Sequence, residues 1–330
     1  MNIGVLGGGS WATAIIKILS DNERSKKVNW WIRKEQTVSY IISHKHNPHY
    51  ISSVYIETQN ILPTVNIENV VKSSDILFVV IPSAFVYNEL KKIKTSAFRN
   101  KIIVSAIKGL IPETGQIAGE YFENNLKVDK SKIGVITGPC HAEEVALEKL
   151  SYLTAASENP EVSAIINSIF SNQYIKINVS DDIYGTEYSA VLKNIYAIAC
   201  GICHGLGCGD NFQAVLISNA IREIKKFIDV IHPISRDIND SAYLGDLLVT
   251  AYSQFSRNRT FGNMLGKGYS VKSAQIEMNM IAEGYYAAKS IYKLNQKYKV
   301  KMPILDFTYK IIYENLLPPM AFEELIKKID

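Results

Sequence analysis

A lysine inside a long apolar stretch is the residue of this chain best suited to chemistry. Lys193 carries the only fixed charge between Glu187 and Asp210, and its neighbours are mostly small or apolar. Such a segment predicts a helix buried on nearly all sides. Burial of an ammonium group lowers its pKa toward neutrality, where an amine exchanges protons with a substrate. A structural ion pair, or a lysine whose head reaches water, would leave the same pattern.

A glycine-rich turn near the start of the chain predicts a dinucleotide site. Residues 2–6 are apolar, as expected of a buried strand, and residues 15–19 continue as a helix. In the turn between them, Gly7 allows a tight bend and Gly9 lets the backbone approach a pyrophosphate, while Ala12 is small enough for close helix packing. The free amides at the helix start favour the phosphate charge. A plain strand-to-helix turn is the alternative.

Positive residues follow two further predicted strands. The strand 28–32 ends in Arg33 and Lys34, where proteins specific for NAD usually carry an acidic residue. Two positive charges favour the 2′-phosphate of NADP, although a solvated basic turn is a serious alternative. Strand 101–107 leads to Lys108, and the carboxyl end of a strand in an open α/β sheet faces the ligand site.

The order of predicted elements gives the fold class. Strands and helices fill residues 1–182, whereas residues 183–330 contain only helical patterns. We therefore predict an α/β protein with an N-terminal Rossmann-type, doubly wound sheet, the NAD(P)-binding domain, and an all-helical C-terminal domain for substrate binding and catalysis. The predicted helices of the second domain are the Lys193 segment and residues 211–231, 240–250, 270–280, 282–299 and 303–315.

Composition and cysteine usage exclude several classes of function. The net charge of +4 is too weak and too dispersed for a nucleic-acid partner. The chain shows no apolar run that would span a membrane and no secretory signal, which predicts a cytoplasmic protein with reduced cysteines. One segment has the residue spacing of a haem-attachment or metal-binding motif, formed by Cys200, Cys203, His204 and Cys208. We interpret these cysteines as packing residues and expect no metal, because no second ligand pair with suitable spacing follows.

Seven motifs together make the chain resemble the bacterial type of NAD(P)-dependent glycerol-3-phosphate dehydrogenase over essentially its whole length. They are the turn 7–14, the strand end 107–110, Gly-Pro-Cys-His-Ala-Glu-Glu at 138–144, Leu-Lys-Asn at 192–194, Leu-Gly-Asp-Leu at 244–247, Ser-Arg-Asn-Arg-Thr-Phe-Gly at 256–262 and Ala-Glu-Gly-Tyr at 282–285. Each motif alone is modest, whereas their joint order and spacing is highly specific.

The resemblance implies reversible hydride transfer between a nicotinamide, NAD or NADP, and the C2 carbon of dihydroxyacetone phosphate. The product, sn-glycerol 3-phosphate, feeds glycerophospholipid synthesis, and a homodimer is expected. In this family Lys193 would be the general acid/base and Asp246 its carboxylate partner. A related dehydrogenase acting on an unphosphorylated hydroxy acid and a nucleotide-sensing protein without activity are the alternatives. The positive set of Lys108, Arg257 and Arg259 argues against the first, and intact Lys193 and Asp246 argue against the second.

The resemblance also assigns the remaining site residues. The substrate would contact Lys108, Gly138, Cys140, Lys193, Asp246, Ser256, Arg257 and Asn258. The cofactor would contact Gly7, Gly9, Ser10, Trp11, Arg33, Lys108, Ala142, Arg257, Ile281 and Glu283. The chain departs from the family pattern at Cys140, which replaces a hydroxyl residue, at Tyr188 and its neighbours before the lysine, and at Tyr243, where a glycine is common. No charged residue of the expected site is lost.

Overall fold

A computed structural model describes residues 1–22, 27–278 and 282–330. The chain forms two compact units. Unit 1 comprises Met1–Ile107 and Gln116–Ile183, and unit 2 comprises Lys108–Gly115 and Tyr184–Asp330. In the described part of the chain, every helix is too short or too polar to cross a membrane.

Unit 1 contains an eight-stranded sheet. Its strands are β1 (Ile3–Leu6), β2 (Val28–Trp31), β3 (Ile61–Thr64), β4 (Ile76–Val79), β5 (Ile102–Ser105), β6 (Ile133–Thr137), β7 (Ser151–Ala156) and β8 (Ile175–Ser180). The spatial order is β3-β2-β1-β4-β5-β6-β7-β8. Strands β1 to β6 are parallel, β7 runs antiparallel to β6, and β8 is parallel to β7.

The sheet confirms the predicted Rossmann-type class. The order 3-2-1-4-5-6 reverses direction between β1 and β4, which is the switch point where such folds bind dinucleotides. Both of these strands are wholly buried, as central parallel strands must be. The connecting helices are α1 (Ser10–Asp21), α2 (Glu35–His44), α3 (Ile67–Ser73), α4 (Ser83–Leu90), α5 (Ala118–Asn124), α6 (Ala142–Ala146) and α7 (Pro160–Phe170).

In unit 2 the elements described after Ile183 are all helices, as predicted for the C-terminal domain. Its helices are α8 (Ile183–Gly205), α9 (Asp210–Ile231), α10 (Asp246–Tyr252), α11 (Arg257–Gly266), α12 (Val271–Glu277), α13 (Glu283–Tyr298), α14 (Pro303–Tyr313) and α15 (Pro318–Leu325). The predicted helix 240–250 is instead a π-helical turn, Ser241–Gly245, followed by α10. Two helices, α11 and α15, were absent from the sequence-based list.

Helix α8 forms the centre of unit 2 and confirms the predicted buried helix. Residues 185–203 are all buried, which explains why the segment is apolar on every side. Small residues bring α8 unusually close to α11. A Cβ added to Gly262 would lie 2.0 Å from Ile198 O, and one added to Gly201 would lie 2.1 Å from Arg259 O. The two helices therefore touch through their backbones along this line.

Candidate active site

Lys193 and Asp246 form a buried ion pair in unit 2. The Lys193 Nζ donates a hydrogen bond to Asp246 Oδ1, and the two residues are 3% and 0% exposed. Lys193 comes from the middle of α8, and Asp246 is the first residue of α10. The carboxylate that the buried lysine requires is thus supplied from 53 positions further along the chain.

Asp246 lies where a π-helical turn, Ser241–Gly245, continues directly into α10. The Asp246 amide donates back into this turn, and Thr250 anchors the following turn by donating its hydroxyl to Asp246 O at 2.6 Å. The preceding π-helical turn shifts the backbone register just before this residue. Turns of this kind occur frequently at functional sites.

Lys108 is the second ammonium group near this carboxylate. It begins the segment Lys108–Gly115. This segment belongs to unit 2, although it follows β5 of unit 1 in the sequence. Its Nζ lies 3.9 Å from Asp246 Oδ2, an oxygen that is buried and accepts no hydrogen bond from the described residues. Two lysines therefore share one carboxylate.

This arrangement brings the pKa of Lys193 to about 7. Burial lowers the pKa most, the charge of Asp246 opposes that shift, and the nearby positive charge of Lys108 lowers it further. An amine with this pKa is present in both protonation states near neutral pH. It can donate a proton to an oxyanion and accept one from an alcohol.

The start of α11 offers a site for an anion, and a hydrogen bond links it to the residue that follows Lys193. Ser256 caps the helix by accepting a hydrogen bond from Arg259 N at 3.3 Å, and no acidic residue lies in the first turn. Arg257 is the first helical residue and is half-buried. Asn258 Nδ2 donates to Asn194 Oδ1 at 3.0 Å, which ties this turn to the residue after Lys193. Free amides and a guanidinium together suit a phosphate group.

The predicted pyrophosphate turn of unit 1 has the required geometry. Gly7 adopts φ +140°, and a Cβ there would lie 2.5 Å from Val80 O, so no other residue fits. Around Gly9, by contrast, an added Cβ would meet no atom within 4 Å, which leaves the backbone open to a ligand. Ser10 and Trp11 follow as the first residues of α1, whose N-terminus has no side-chain cap. The residues present fit a dinucleotide phosphate.

The other predicted residues of unit 1 lie at the carboxyl ends of the strands. Arg33 is exposed after β2, with its guanidinium carbon 5.7 Å from the centre of the Phe85 ring. Gly138 follows β6 with φ +121°, and a Cβ there would lie 3.0 Å from Tyr152 O. Cys140 is buried, and Ala142 is the first residue of α6. Their contacts with a ligand stay predictions.

Two predicted cofactor residues belong to the region before α13. Glu283 is the first residue of that helix and is half-buried. Ile281 lies outside the described residues. The departures from the family pattern are accommodated by packing: Tyr188 is buried with its ring 5.8 Å from that of Phe227, and Tyr243 is buried within the π-helical turn.

The structure thus brings together Lys193, Asp246, Lys108 and Asn258 within unit 2, and Gly7, Gly9, Ser10 and Trp11 at one turn of unit 1. Sequence reasoning assigned no role to two buried asparagines. Asn47 donates to Gly8 O at 3.2 Å and so supports the glycine turn. Asn194 donates to Lys108 O at 2.9 Å. Asn194 was named only as part of the Leu-Lys-Asn motif, although a polar residue in the apolar α8 segment was the signal for a role of its own.

Comparisons with known proteins identify the family of this chain. The family models for the N-terminus and the C-terminus of NAD-dependent glycerol-3-phosphate dehydrogenase match residues 2–163 and 182–323. A glycerol-3-phosphate dehydrogenase [NAD(P)+] of Macrococcus caseolyticus is 33% identical over 96% of this chain and 95% of its own length. One of Bacillus velezensis is 32% identical over 99% of this chain and 94% of its own length.

A solved structure supports the same relationship. The crystal structure of glycerol-3-phosphate dehydrogenase from Coxiella burnetii matches with a TM-score of 0.92 and 28% identity, over 99% of both chains. D-mandelate dehydrogenase matches with a TM-score of 0.60 at 15% identity, which reflects the shared fold alone. The chain therefore belongs to the NAD(P)-dependent glycerol-3-phosphate dehydrogenase family.

Proposed function

We propose that this chain catalyses the reversible, NAD(P)H-dependent reduction of dihydroxyacetone phosphate to sn-glycerol 3-phosphate, which supplies glycerophospholipid synthesis. Family membership supports the reaction, and one observation carries the mechanism. The Lys193 ammonium is buried against Asp246, and its pKa is about 7. A proton donor and acceptor of this kind is what carbonyl reduction and its reversal require.

Unit 2 carries the residues proposed to hold the substrate. Arg257 and the open amides at the start of α11 bind the phosphate, since a guanidinium fork and a helix N-terminus both favour an anion. Lys108 adds positive charge beside Asp246. Ser256 already caps α11, so its hydroxyl orients the phosphate-binding turn. The proposed contacts of Gly138 and Cys140 with substrate rest on the family resemblance.

Proton transfer is the step that the chain itself performs. A bound reduced nicotinamide supplies the hydride to C2 of the substrate. As negative charge develops on the C2 oxygen, Lys193 donates its proton there and becomes neutral. Asp246 keeps the amine in place during this change, because its carboxylate accepts the Lys193 hydrogen bond. In the oxidation direction the neutral amine removes the hydroxyl proton, and the same pair runs in reverse.

Unit 1 is proposed to hold the cofactor. The turn at Gly7 and Gly9 and the uncapped start of α1 receive the pyrophosphate. Arg33 receives the 2′-phosphate, which favours NADP over NAD. The family resemblance adds the remaining proposed cofactor contacts, which are Ser10, Trp11, Lys108, Ala142, Arg257, Ile281 and Glu283. A homodimeric, cytoplasmic enzyme is proposed on the same basis.

An absorbance assay tests the proposal. Oxidation of NADPH and of NADH is followed with dihydroxyacetone phosphate, and in parallel with free dihydroxyacetone. The proposal predicts turnover with the phosphorylated substrate and a lower kcat/KM for the free ketone, since the latter lacks the group that Arg257 binds. Equal turnover of both ketones would contradict the substrate assignment, and no turnover with either nicotinamide would contradict the activity.

A further inference from the structure

Three hydrogen bonds run in series through unit 2 and end on the backbone of Lys108. Gly284 N donates to Asn258 Oδ1 at 2.9 Å, Asn258 Nδ2 donates to Asn194 Oδ1 at 3.0 Å, and Asn194 Nδ2 donates to Lys108 O at 2.9 Å. We call this series the amide chain. It crosses from α13 through α11 and α8 to the segment that starts with Lys108.

The amide chain is buried, and its direction is uniform. Asn258 is 8% exposed and Asn194 is 5% exposed. Each amide accepts on the α13 side and donates on the Lys108 side, so the bonds polarise one another in the same sense. Gly284 N belongs to the first turn of α13, where backbone amides have no partner within the helix. The chain therefore begins at a donor that needs an acceptor.

Close backbone packing holds both asparagines in register. A Cβ on Gly284 would lie 2.5 Å from Asn194 O, so α13 and α8 approach without room for a side chain. Gly262, one turn after Asn258 in α11, packs equally closely against Ile198 O of α8. The asparagine amides are thus placed by helix packing rather than by flexible loops.

We propose that Asn194 and Asn258 are positioning residues for Lys108, which hold its backbone so that its ammonium stays beside Asp246 and Lys193. This rests on the proposed function. Asn258 contributes to this positioning because both polar atoms of its side chain take part in the amide chain. This positioning role of Asn258 acts through Lys108 and is separate from the substrate contact that the family resemblance assigns to it.

The positioning role has a specific electrostatic consequence. The charged groups that act on the Lys193 ammonium are Asp246, which accepts its hydrogen bond from the start of α10, and Lys108, whose Nζ lies 3.9 Å from the same carboxylate. Among them, Asp246 favours the ammonium form of Lys193 and Lys108 opposes it. A Lys108 released from the amide chain moves away from Asp246, and the repulsion on Lys193 weakens. The pKa of Lys193 then rises.

The test measures the pH dependence of kcat/KM for dihydroxyacetone phosphate reduction in Asn194→Ala, Asn258→Ala and the double variant. Alanine adds no charge, so any shift reports the position of Lys108. Each single variant should move the midpoint upward by about half a pH unit or more. The double variant should move it no further than Asn194→Ala, because both act through one chain. Asn219→Ala is the control: Asn219 is also buried, and it donates to Val215 O and Asp330 O instead.

The contrary results are distinct. A wild-type midpoint in both single variants, with only the loss of stability seen in Asn219→Ala, would overturn the positioning role. A higher KM for substrate in Asn258→Ala without a shifted midpoint would leave Asn258 only a substrate contact and overturn its positioning role as well. Should Asn194→Ala fail to fold, Asn258→Ala interrupts the same chain from α11 and decides the question. A wild-type chain without turnover would refute the proposed function itself.

Discussion

Lys193 shows how much a single residue reveals before any fold is known. An isolated charge in an apolar helix predicts burial and a lowered pKa, and both are found in the structure. Its partner could not be identified in this way. Asp246 is 53 positions away from Lys193 in the sequence, and the π-helical turn before it has no recognisable sequence pattern. It was therefore identified through the family resemblance. The spacing of these residues in the sequence predicts neither the pairing of Asp246 with Lys193 nor its pairing with Lys108.

The lowered pKa predicts opposite pH profiles for the two directions of the reaction. Reduction needs the ammonium form of Lys193, so its kcat/KM should fall as pH rises through about 7. Oxidation needs the neutral amine, so its kcat/KM should rise over the same range. Both are measured between about pH 6.5 and 9.5, where the substrate phosphate remains mainly a dianion. Parallel profiles in the two directions would exclude Lys193 as the shared proton carrier.

Arg33 gives a second prediction for a single residue. Replacement by serine removes the guanidinium proposed to bind the 2′-phosphate, so the KM for NADPH should rise by roughly tenfold while that for NADH changes little. Arg99→Ser is a matched control, because Arg99 is also exposed in unit 1 but precedes β5, at the opposite end of the strands. Equal effects on both cofactors would contradict the NADP assignment.

At the scale of elements, helix α8 depends on glycines in α11 that sequence patterns did not reveal as contacts. Periodicity predicted the buried helix, but α11 itself was absent from the sequence-based list because its polar start and its glycines give a weak helical pattern. Strand β3 was also missed. It is a four-residue edge strand with Pro63 in it, and edge strands tolerate proline.

The backbone contact between these helices predicts a strong effect of one methyl group. In Gly262→Ala the new Cβ would overlap Ile198 O, so the helices must separate. We expect the free energy of unfolding to fall by about 1–3 kcal/mol and kcat/KM to fall with it, since α8 carries Lys193 and α11 begins at Arg257. Both quantities are obtained from urea unfolding and steady-state kinetics.

Gly209→Ala provides the matched control for that substitution. Gly209 precedes α9 with φ −77°, and an added Cβ meets no atom within 4 Å. It should cost about 0.5–1 kcal/mol, since alanine caps a helix less well than glycine, and it should leave kcat/KM unchanged. A Gly262→Ala variant as stable and active as Gly209→Ala would show that α8 and α11 are not held in backbone contact.

For the molecule as a whole, the sequence predicted the sheet, the helical second half and a single boundary after Asp182. The structure places residues 108–115 in unit 2, so the chain enters that unit once before it finishes unit 1. No composition change marks this excursion. It is a consequence of tertiary packing, which local patterns do not encode.

Stability of unit 2 should depend on pH through Glu223, a buried carboxyl on α9 outside the proposed chemistry. It accepts hydrogen bonds from Ile304 N at 2.7 Å and from the Tyr196 hydroxyl at 3.1 Å, yet burial raises its pKa from 4.5 to about 8. The folded protein therefore holds the Glu223 proton more tightly than the unfolded chain does. The resulting contribution to the free energy of unfolding is fully present below pH 4.5 and is lost as pH rises to about 8. The unfolded chain has released the proton throughout that range.

Glu223→Gln isolates this contribution. The amide stays neutral, so wild type should lose stability relative to the variant between pH 5 and about 8, by an amount on the order of a few kcal/mol. Urea unfolding of both proteins at several pH values measures the difference. A difference in the free energy of unfolding that does not change with pH would mean that Glu223 is ionised throughout.

The central claim is that Lys193 transfers the proton in a nicotinamide-dependent reduction of dihydroxyacetone phosphate, and comparison of Lys193→Ala with wild type tests it most directly. We predict that kcat for NADPH oxidation falls by about 10²–10⁴-fold while the Kd for NADPH, from fluorescence titration, stays close to wild type. Lys225→Ala, at an exposed lysine of α9, should leave both values unchanged. Turnover near that of wild type in Lys193→Ala would contradict the account.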